Sequence, residues 1–267
     1  MTRSAIYAAL LGAFITAAPF AVLAQDVKTE NAAEATASSP FTEAQKKALD
    51  TAIRDYLMAN PKVIMDSVEQ FRQNQENADM QAYAQKIRDK HEEIYNDPSS
   101  PVAGNLKGDV TLVEFFDYNC GYCKQAFKDV QTMIGEDKNL RVVFKEIPIL
   151  SESSHTAARY ALAADKQGKY WEFHSALMGS TGQISESRLE SVAKDVGLDV
   201  KKLKADAEDP AIRAAIEKNL TLAHEIGITG TPGFILGDEA LRGHYGIDAL
   251  RKFIKDEHAR NAAKKAE

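Results

Sequence analysis

Two cysteines three positions apart are the residues of this chain best suited to chemistry. Cys120 and Cys123 are the only cysteines among its 267 residues. Two thiols at a Cys-X-X-Cys spacing can form and break a disulfide with each other, and the thiolate is the form that attacks. Because a bond across so short a loop restricts the unfolded chain little, redox chemistry explains the pair better than stabilisation does.

The elements predicted around the pair favour the same chemistry. Residues 110–116 form an apolar run typical of a buried strand, and a helix is predicted from Gly121 to about residue 134. A helix N-terminus offers unpaired N–H groups and a positive dipole end, which stabilise a thiolate. We therefore predict that Cys120 is the nucleophile and that Cys123, deeper in the helix, is the resolving thiol.

A metal site is the main alternative use of such a pair, since two cysteines at this spacing are half of a zinc ligand set. The other half is missing, because there is no third cysteine and the six histidines show no ligand-like spacing: His91, His155, His174, His224, His244 and His258. We expect no metal and no cofactor beyond the redox-active disulfide. Copper(I) capture by the two soft thiolates stays open as a secondary property.

The first 24 residues have the pattern of a cleaved secretory signal peptide. Arg3 precedes an apolar run, residues 5–18, which Pro19 interrupts before it reaches the length of a membrane span. Small residues then stand one and three positions before Gln25, as at a cleavage site. The pattern predicts an exported protein, and we expect it in the periplasm.

Composition excludes some partners. The formal net charge is −6 and no basic run interrupts the sequence, so nothing would attract nucleic acid or an anionic membrane. We expect no nucleic-acid partner. At 44% apolar residues the chain can bury a sizeable core, and its length favours one main domain with an appendage.

The appendage is predicted to be helical. Residues 25–40 are small and polar, as in a disordered tether. Thr42 and Gln45 form a capping box for a first amphipathic helix that ends near Ala59. An unusually long second helix is predicted to follow from Pro61 to about residue 95.

The long helix has apolar stripes at its two ends only. They comprise Ile64, Val68 and Phe71 near one end and Met80, Tyr83, Ile87 and Ile94 near the other. A polar stretch separates them, so this helix cannot pack on one globular core throughout. We interpret residues 41–96 as an oligomerisation stalk, with a helical cap folded onto the main domain as the alternative.

The main domain is predicted to be α/β. A turn-rich linker, residues 97–108, leads into this domain, residues 109–267. Its second strand is predicted to run parallel to the first, at 110–116, because a helix connects the two. The predicted elements that follow are a strand at 140–147, a helical block at about 151–226, short strands at 233–236 and 240–244, and a helix at about 247–262.

The segment VEFFDYNCGYC, residues 113–123, resembles the active-site strand and helix start of thioredoxin-fold proteins, and is most similar to their DsbA-like branch. In that branch a helical block interrupts the fold. The resemblance covers roughly residues 108–262. It implies a thioredoxin fold with an inserted helical block, preceded in this chain by the N-terminal helical oligomerisation segment.

The same resemblance implies roles for further residues. In this family a glutamate six positions before the first cysteine lies beneath the disulfide and assists proton transfer, and Glu114 matches it. Strand alternation places Glu114 on one face with Leu112 and Phe116, an apolar setting that could raise its pKa.

Two other segments are implied to bind substrate. Thr231-Pro232, in GITGTPGF, matches the cis-proline loop that faces the cysteine pair, and Thr231 would offer its backbone to an extended substrate segment. Gly121 and Tyr122, between the cysteines, complete the predicted substrate-binding residues.

Gly121 and Tyr122 also bear on the direction of the reaction. Strongly oxidising DsbA proteins usually carry Pro-His there, whereas Gly-Tyr with Thr before the proline is similar to DsbC-type isomerases, which are oligomers. A helical stalk joined to a DsbA-like domain resembles the suppressor of copper sensitivity protein C group. The resemblance implies a homo-oligomeric isomerase or reductase of misoxidised proteins, a trimer in preference to a dimer, kept reduced by a DsbD-type membrane reductase.

Two alternatives remain open from the sequence. A monomeric DsbA-type oxidase would use the same cysteines and be reoxidised by a DsbB-type quinone enzyme. A binding protein, either a periplasmic copper(I) carrier or a chaperone, would use the cleft without redox turnover. The hypothesis of a redox enzyme predicts that Cys123 is needed for release of product, because it resolves the mixed disulfide at Cys120.

Overall fold

The computed structural model describes residues 40–266. The predicted signal peptide, and the tether up to residue 39, lie outside the described residues. Two compact units divide the chain, one ending at Ile64 and one running from Met65 to the end. No helix among residues 40–266 is long and apolar enough to cross a membrane.

The first unit contains helix α1 (Glu43–Ala59) and the start of helix α2 (Pro61–Asp89). The predicted capping box begins α1: the Gln45 backbone N–H donates to the Thr42 hydroxyl, and the Thr42 backbone N–H donates to the Gln45 side chain at 2.8 Å. No residue of α1 is buried, so its apolar side chains, including Leu49 and Ile53, face outward at about half exposure.

The predicted long helix is shorter than expected. α2 ends at Asp89, and a separate short helix α3 (His91–Tyr95) follows after Lys90. The break lets Ile94 and Tyr95 become buried against the sheet of the second unit, together with Ile87 of α2. Tertiary packing therefore ended a helix that local propensity favoured continuing.

The predicted linker is not wholly irregular. It contains strand β1 (Val102–Gly104), which pairs antiparallel with β3 (Leu140–Glu146). Three residues are too few to show a strand period, so the pairing comes from the partner strand and not from a local signal. This edge strand was missed by the sequence prediction.

The central sheet has five strands in the order β1-β3-β2-β4-β5. The predicted strands β2 (Val110–Phe116) and β3 are parallel and joined by helix α4 (Gly121–Glu136). Strand β4 (Gly233–Leu236) pairs antiparallel with β2, and β5 (Glu239–Arg242) forms the far edge. β5 ends two residues before the predicted end, because Gly243 (φ 105°) turns the chain away.

Between β3 and β4 the chain is helical, as predicted. The block consists of α5 (Glu152–Asp165), α6 (Tyr170–Met178), α7 (Glu186–Asp195), α8 (Val200–Ala207) and α9 (Pro210–Glu225), and α10 (Ile247–Ala266) ends the described chain.

Both faces of the sheet are covered, which explains the continuous apolar runs of β2 and β3. Leu112, Phe116 and Phe144 belong to the larger core cluster, formed with α4, α5 and α6. Val113 and Phe115 point to the opposite face and belong to a second cluster with the ends of α2 and α9. The parallel β2 and β3 thus hold the start of α4 at their C-terminal edge.

Candidate active site

Cys120 is the N-cap of α4, the helix that follows β2 in the chain. Its Sγ accepts a hydrogen bond from the Cys123 backbone N–H at 3.3 Å, so the sulfur occupies the position of a capping oxygen. Cys120 keeps 7% exposure, whereas Cys123 keeps none. A reagent in solution therefore reaches Cys120 first.

The Thr231-Pro232 peptide bond is cis and lies against the nucleophile, as the resemblance implied. Cys120 Sγ is 3.3 Å from the Thr231 carbonyl oxygen, although 111 positions separate the two residues. Two interactions fix this loop: Gly233 pairs with Phe115 of β2, and the Gly243 N–H donates to the Pro232 carbonyl at 2.8 Å. The sheet thereby brings the predicted substrate loop to the predicted nucleophile.

The two sulfurs differ strongly in acidity. The pKa of Cys120 is lowered to about 6, chiefly by a hydrogen bond from the Cys123 thiol, with help from the Thr231 side chain and the N–H groups of Cys123 and Tyr122, while burial acts the other way. The pKa of Cys123 is raised by burial, by its hydrogen bond with Cys120 and by the charge of Glu114. At neutral pH this gives one thiolate and one buried thiol.

Glu114 is completely buried in the sheet. Among residues 40–266 no group hydrogen-bonds to either of its carboxylate oxygens. Burial, followed by the nearby charge of Cys120, raises the pKa of Glu114 to about 8. The carboxyl is therefore mostly protonated at pH 7 and able to exchange a proton near pH 8.

The two residues between the cysteines are open to solvent. Tyr122 is 66% exposed, and a side chain built at Gly121 would meet nothing within 4 Å. The surface beside the Cys120 sulfur is therefore free for another polypeptide.

One feature of the site was missed by the sequence analysis: a buried polar network beneath the start of α4. The Tyr118 and Tyr170 hydroxyls both donate to Glu146 Oε1, at 3.1 and 3.0 Å, and the Tyr118 oxygen is 3.0 Å from His174 Nδ1. Burial raises the pKa of Glu146 and lowers that of His174 to about 3. The network ties the residue two positions before Cys120 to β3 and α6.

The sequence carried a weak signal of this network. Glu146 stands at the end of an apolar strand, a position where a glutamate is often exposed. It is buried here because the strand register places it beside Phe116 of β2. A second polar cluster lies just after the strand: Asp117 accepts hydrogen bonds from the Asn119 N–H, the Ser154 hydroxyl and the Leu150 N–H. Both clusters hold the turn that presents Cys120.

Within residues 40–266 no group of three or more histidine, cysteine or acidic side chains could hold a metal ion.

The raised pKa of Glu114 makes stability depend on pH in a defined direction. The folded value of about 8 lies above the ordinary value of 4.5, so the folded state holds its proton longer. The free energy of unfolding should therefore fall as pH rises from about 5 to 8, by up to about 1.4 kcal/mol per pH unit from this group. The Glu114→Gln variant should lack this contribution, whereas the opposite contributions of His174 and Cys120, whose pKa values are lowered to about 3 and about 6, remain in both proteins.

Urea unfolding of the reduced protein at a series of pH values measures the slope, with Glu172→Gln, at an exposed glutamate on α6, as the control. The wild type and the control should share the same dependence on pH. If Glu114→Gln also kept it, the buried carboxyl would not be the titrating group.

Comparison with known proteins agrees with the geometry. The family described as DSBA-like thioredoxin domain matches residues 111–255. The family described as copper resistance protein ScsC N-terminal domain matches residues 45–78, in the segment of α1 and α2.

Solved structures include close relatives of this fold. A thioredoxin-like oxidoreductase from Silicibacter pomeroyi is 45% identical, with a TM-score of 0.60 over 66% of this chain and 98% of that one. A linker-deletion mutant of Proteus mirabilis ScsC is 27% identical, with a TM-score of 0.64 over 84% of this chain and 99% of the other. Salmonella enterica BcfH is 27% identical, with a TM-score of 0.64 over 79% and 95%.

Curated relatives include Na(+)/H(+) antiporters, such as NhaA 1 of Salinispora arenicola, 30% identical over 56% of this chain. The chain spans only 23% of that antiporter's length. Bacillus subtilis disulfide bond formation protein D is 26% identical over 59% of this chain and 76% of its own length. With the family match covering more than half of its residues, the chain belongs to the DsbA-like thioredoxin-domain family of thiol-disulfide oxidoreductases, and fits its ScsC group.

Proposed function

We propose that this protein is an exported thiol-disulfide oxidoreductase that works in the periplasm as an isomerase or reductase of misoxidised proteins. The observation that carries the proposal is the asymmetry of the cysteine pair. Cys120 has a lowered pKa and lies against the Thr231 carbonyl, whereas Cys123 is buried with a raised pKa. A relative from Salmonella enterica is described as a periplasmic thioredoxin-like protein.

The reaction begins with the Cys120 thiolate attacking one sulfur of a substrate disulfide. A mixed disulfide forms at Cys120, the substrate S–S bond breaks, and the departing substrate thiolate takes up a proton. In reduction, Cys123 then loses its proton, attacks Cys120 Sγ and releases the second substrate thiol. The substrate gains two electrons and two protons, and the protein is left with the Cys120-Cys123 disulfide.

Isomerisation follows the same first step but a different second one. Another thiol of the substrate attacks the mixed disulfide, a new substrate disulfide forms, and Cys120 is released again as a thiolate. The oxidation states of the substrate and of the protein do not change over this cycle. Because the cycle begins with the Cys120 thiolate, only the reduced protein can perform it. A membrane-bound thiol reductase of the DsbD type would restore the reduced form, and electrons pass through sulfur alone, without a cofactor.

Glu114 would serve the step in which Cys123 reacts. Cys123 is buried and cannot release its proton directly to water. Glu114 is close enough for its charge to raise the pKa of Cys123, and its own pKa of about 8 allows it to accept and return a proton near neutral pH.

Thr231, Pro232, Gly121 and Tyr122 would hold the substrate. The exposed surface at Gly121 and Tyr122 has room for a polypeptide, and the backbone at Thr231 lies beside the reacting sulfur. An extended segment pairing with backbone groups would be bound with little regard to its sequence. This suits an enzyme that acts on many misfolded chains.

The N-terminal helices support the preference for isomerase. The apolar side chains of α1 are exposed, among them Leu49 at 46%, Ile53 at 49% and Tyr56 at 58%. Side chains at this spacing lie on one helix face, which a second copy could cover. The exposed part of residues 41–96 would then form an oligomerisation stalk, a trimer by resemblance, that holds several active sites together on one substrate, while Ile87, Ile94 and Tyr95 at the end of the segment pack on the sheet.

Refolding of a scrambled multi-disulfide protein tests the role of the stalk. Residues 25–267 should restore the activity of scrambled ribonuclease and form an oligomer by light scattering. The double substitution Ile53→Lys and Tyr56→Lys should break the oligomer and reduce isomerisation severalfold, while reduction of a small disulfide persists.

Thr51→Lys, on the opposite face of α1, is the matched control and should keep both properties. If wild type and double variant are monomers that only oxidise reduced substrates, the protein is a DsbA-type oxidase, reoxidised by a DsbB-type enzyme.

Covalent trapping separates redox turnover from simple binding. Cys123→Ser leaves the nucleophile in place but removes the group that resolves the mixed disulfide. Incubated with a disulfide-bonded substrate, this variant should accumulate adducts that dithiothreitol releases, and Cys120→Ser should form none. A protein that acts only as a copper(I) carrier or chaperone would bind its ligand yet give no adduct with either variant.

A further inference from the structure

A cavity of about 240 Å³ lies beside the cis-proline loop. Its lining comprises residues 228–232, Arg242 and Gly243. Because Thr231 both lines this cavity and touches the Cys120 sulfur, a substrate cysteine joined to Cys120 has its neighbouring residues close to the cavity. Side chains that line the cavity can therefore contact the substrate residues next to the reacting cysteine and select among them.

Arg242 is the charged residue of this lining. It ends β5 and pairs with Gly233, the residue directly after the cis-proline. Its guanidinium carbon lies 4.4 Å above the centre of the Tyr83 ring of α2, a cation-π contact. Arg242 Nη2 also lies beside Gly227, at 3.8 Å from the position of an added Cβ, which is ordinary van der Waals contact. The side chain is thus held in place before any ligand arrives.

The charge of Arg242 is not neutralised within the described chain. Its neighbours in the β4–β5 hairpin are paired, Asp238 with Arg88 at 2.9 Å and Glu239 with Arg260 at 2.8 Å. Among residues 40–266 no carboxylate forms an ion pair with Arg242. A fixed guanidinium presents a fork of N–H donors that fits a carboxylate in two-point contact.

We propose that Arg242 is a specificity-determining residue that binds a carboxylate close to the reacting cysteine of the substrate. The proposal rests on the proposed function, since it names what the same site prefers. Two sources supply this chemistry: an acidic side chain beside a protein cysteine, and the carboxylates of glutathione in a mixed disulfide. The chain as a whole is acidic, at −6, so a local cation is required to favour such substrates.

Paired disulfide peptides that differ only by Glu or Gln beside the cysteine test the first source. The reduced full chain should act on the Glu peptide with kcat/KM about fivefold higher at low salt, as expected for one partly exposed ion pair. The preference should shrink at high salt, because ions screen the contact. In Arg242→Gln the ratio should fall to about one, and Arg242→Glu should instead favour a Lys peptide.

Arg213→Glu is the matched control for Arg242→Glu, because both variants replace an arginine by a glutamate. Arg213 lies at the start of α9, about 20 Å along the helix axis from Gly227 at the other end. This variant should keep the preference for Glu. Tyr83→Leu should weaken the preference by removing the ring beneath Arg242, and Tyr83→Phe should restore it.

Glutathione disulfide, compared with its carboxyl ester, tests the second source with the same variants. A ratio that depends on Arg242 with the peptides alone assigns the site to proteins, and with glutathione alone to the small thiol. If Arg242→Gln keeps the wild-type ratio for both, or Arg213→Glu loses it equally, the proposal is wrong. If wild type reduces none of these disulfides, the proposed function itself fails, which is a different result.

Discussion

The contact between the Cys120 sulfur and the Thr231 carbonyl is the constraint on which the rest of the structure depends. The sulfur must remain reachable at the edge of the core, and it must be held as a thiolate. The N-terminus of α4 supplies N–H groups that stabilise the thiolate from one side, and on the other side the Thr231 side chain also lowers the pKa of Cys120, while the Thr231 carbonyl can accept a hydrogen bond from the thiol form. Since 111 positions separate the two residues, tertiary structure must bring them together, and the pairing of β2 with β4 does so.

Buried acids under the site show what this arrangement costs. Glu114 has no hydrogen-bond partner among residues 40–266, and burying it disfavours its charged form. Glu146 is also buried but accepts two tyrosine hydroxyls, which fix the turn before Cys120. The first carboxyl is thus suited to exchanging protons and the second to holding geometry. The apolar residues on both faces of the sheet offset the destabilisation that such groups cause.

The strands and helices around the cysteine pair could be predicted because each carries its own local signal. Val110–Phe116 is a continuous apolar run, and the helix that follows begins at a recognisable turn. The family resemblance supplied what local patterns could not, namely the cis form of Thr231-Pro232. Strand β1, the end of α2 at Asp89 and the burial of Glu146 depend on contacts between distant segments. No window of sequence contains those contacts, and Arg242 was overlooked for the same reason.

The state of the Cys120 thiol at neutral pH tests the account most directly. Thiolate formation in the reduced protein can be followed by absorbance near 240 nm during a pH titration, with Cys120→Ser as the reference. The expected result is a transition with a midpoint near pH 6 that the reference lacks, in line with the lowered pKa of Cys120. A midpoint at about pH 8.5, the pKa of an ordinary cysteine, would contradict the central claim that the fold activates this sulfur.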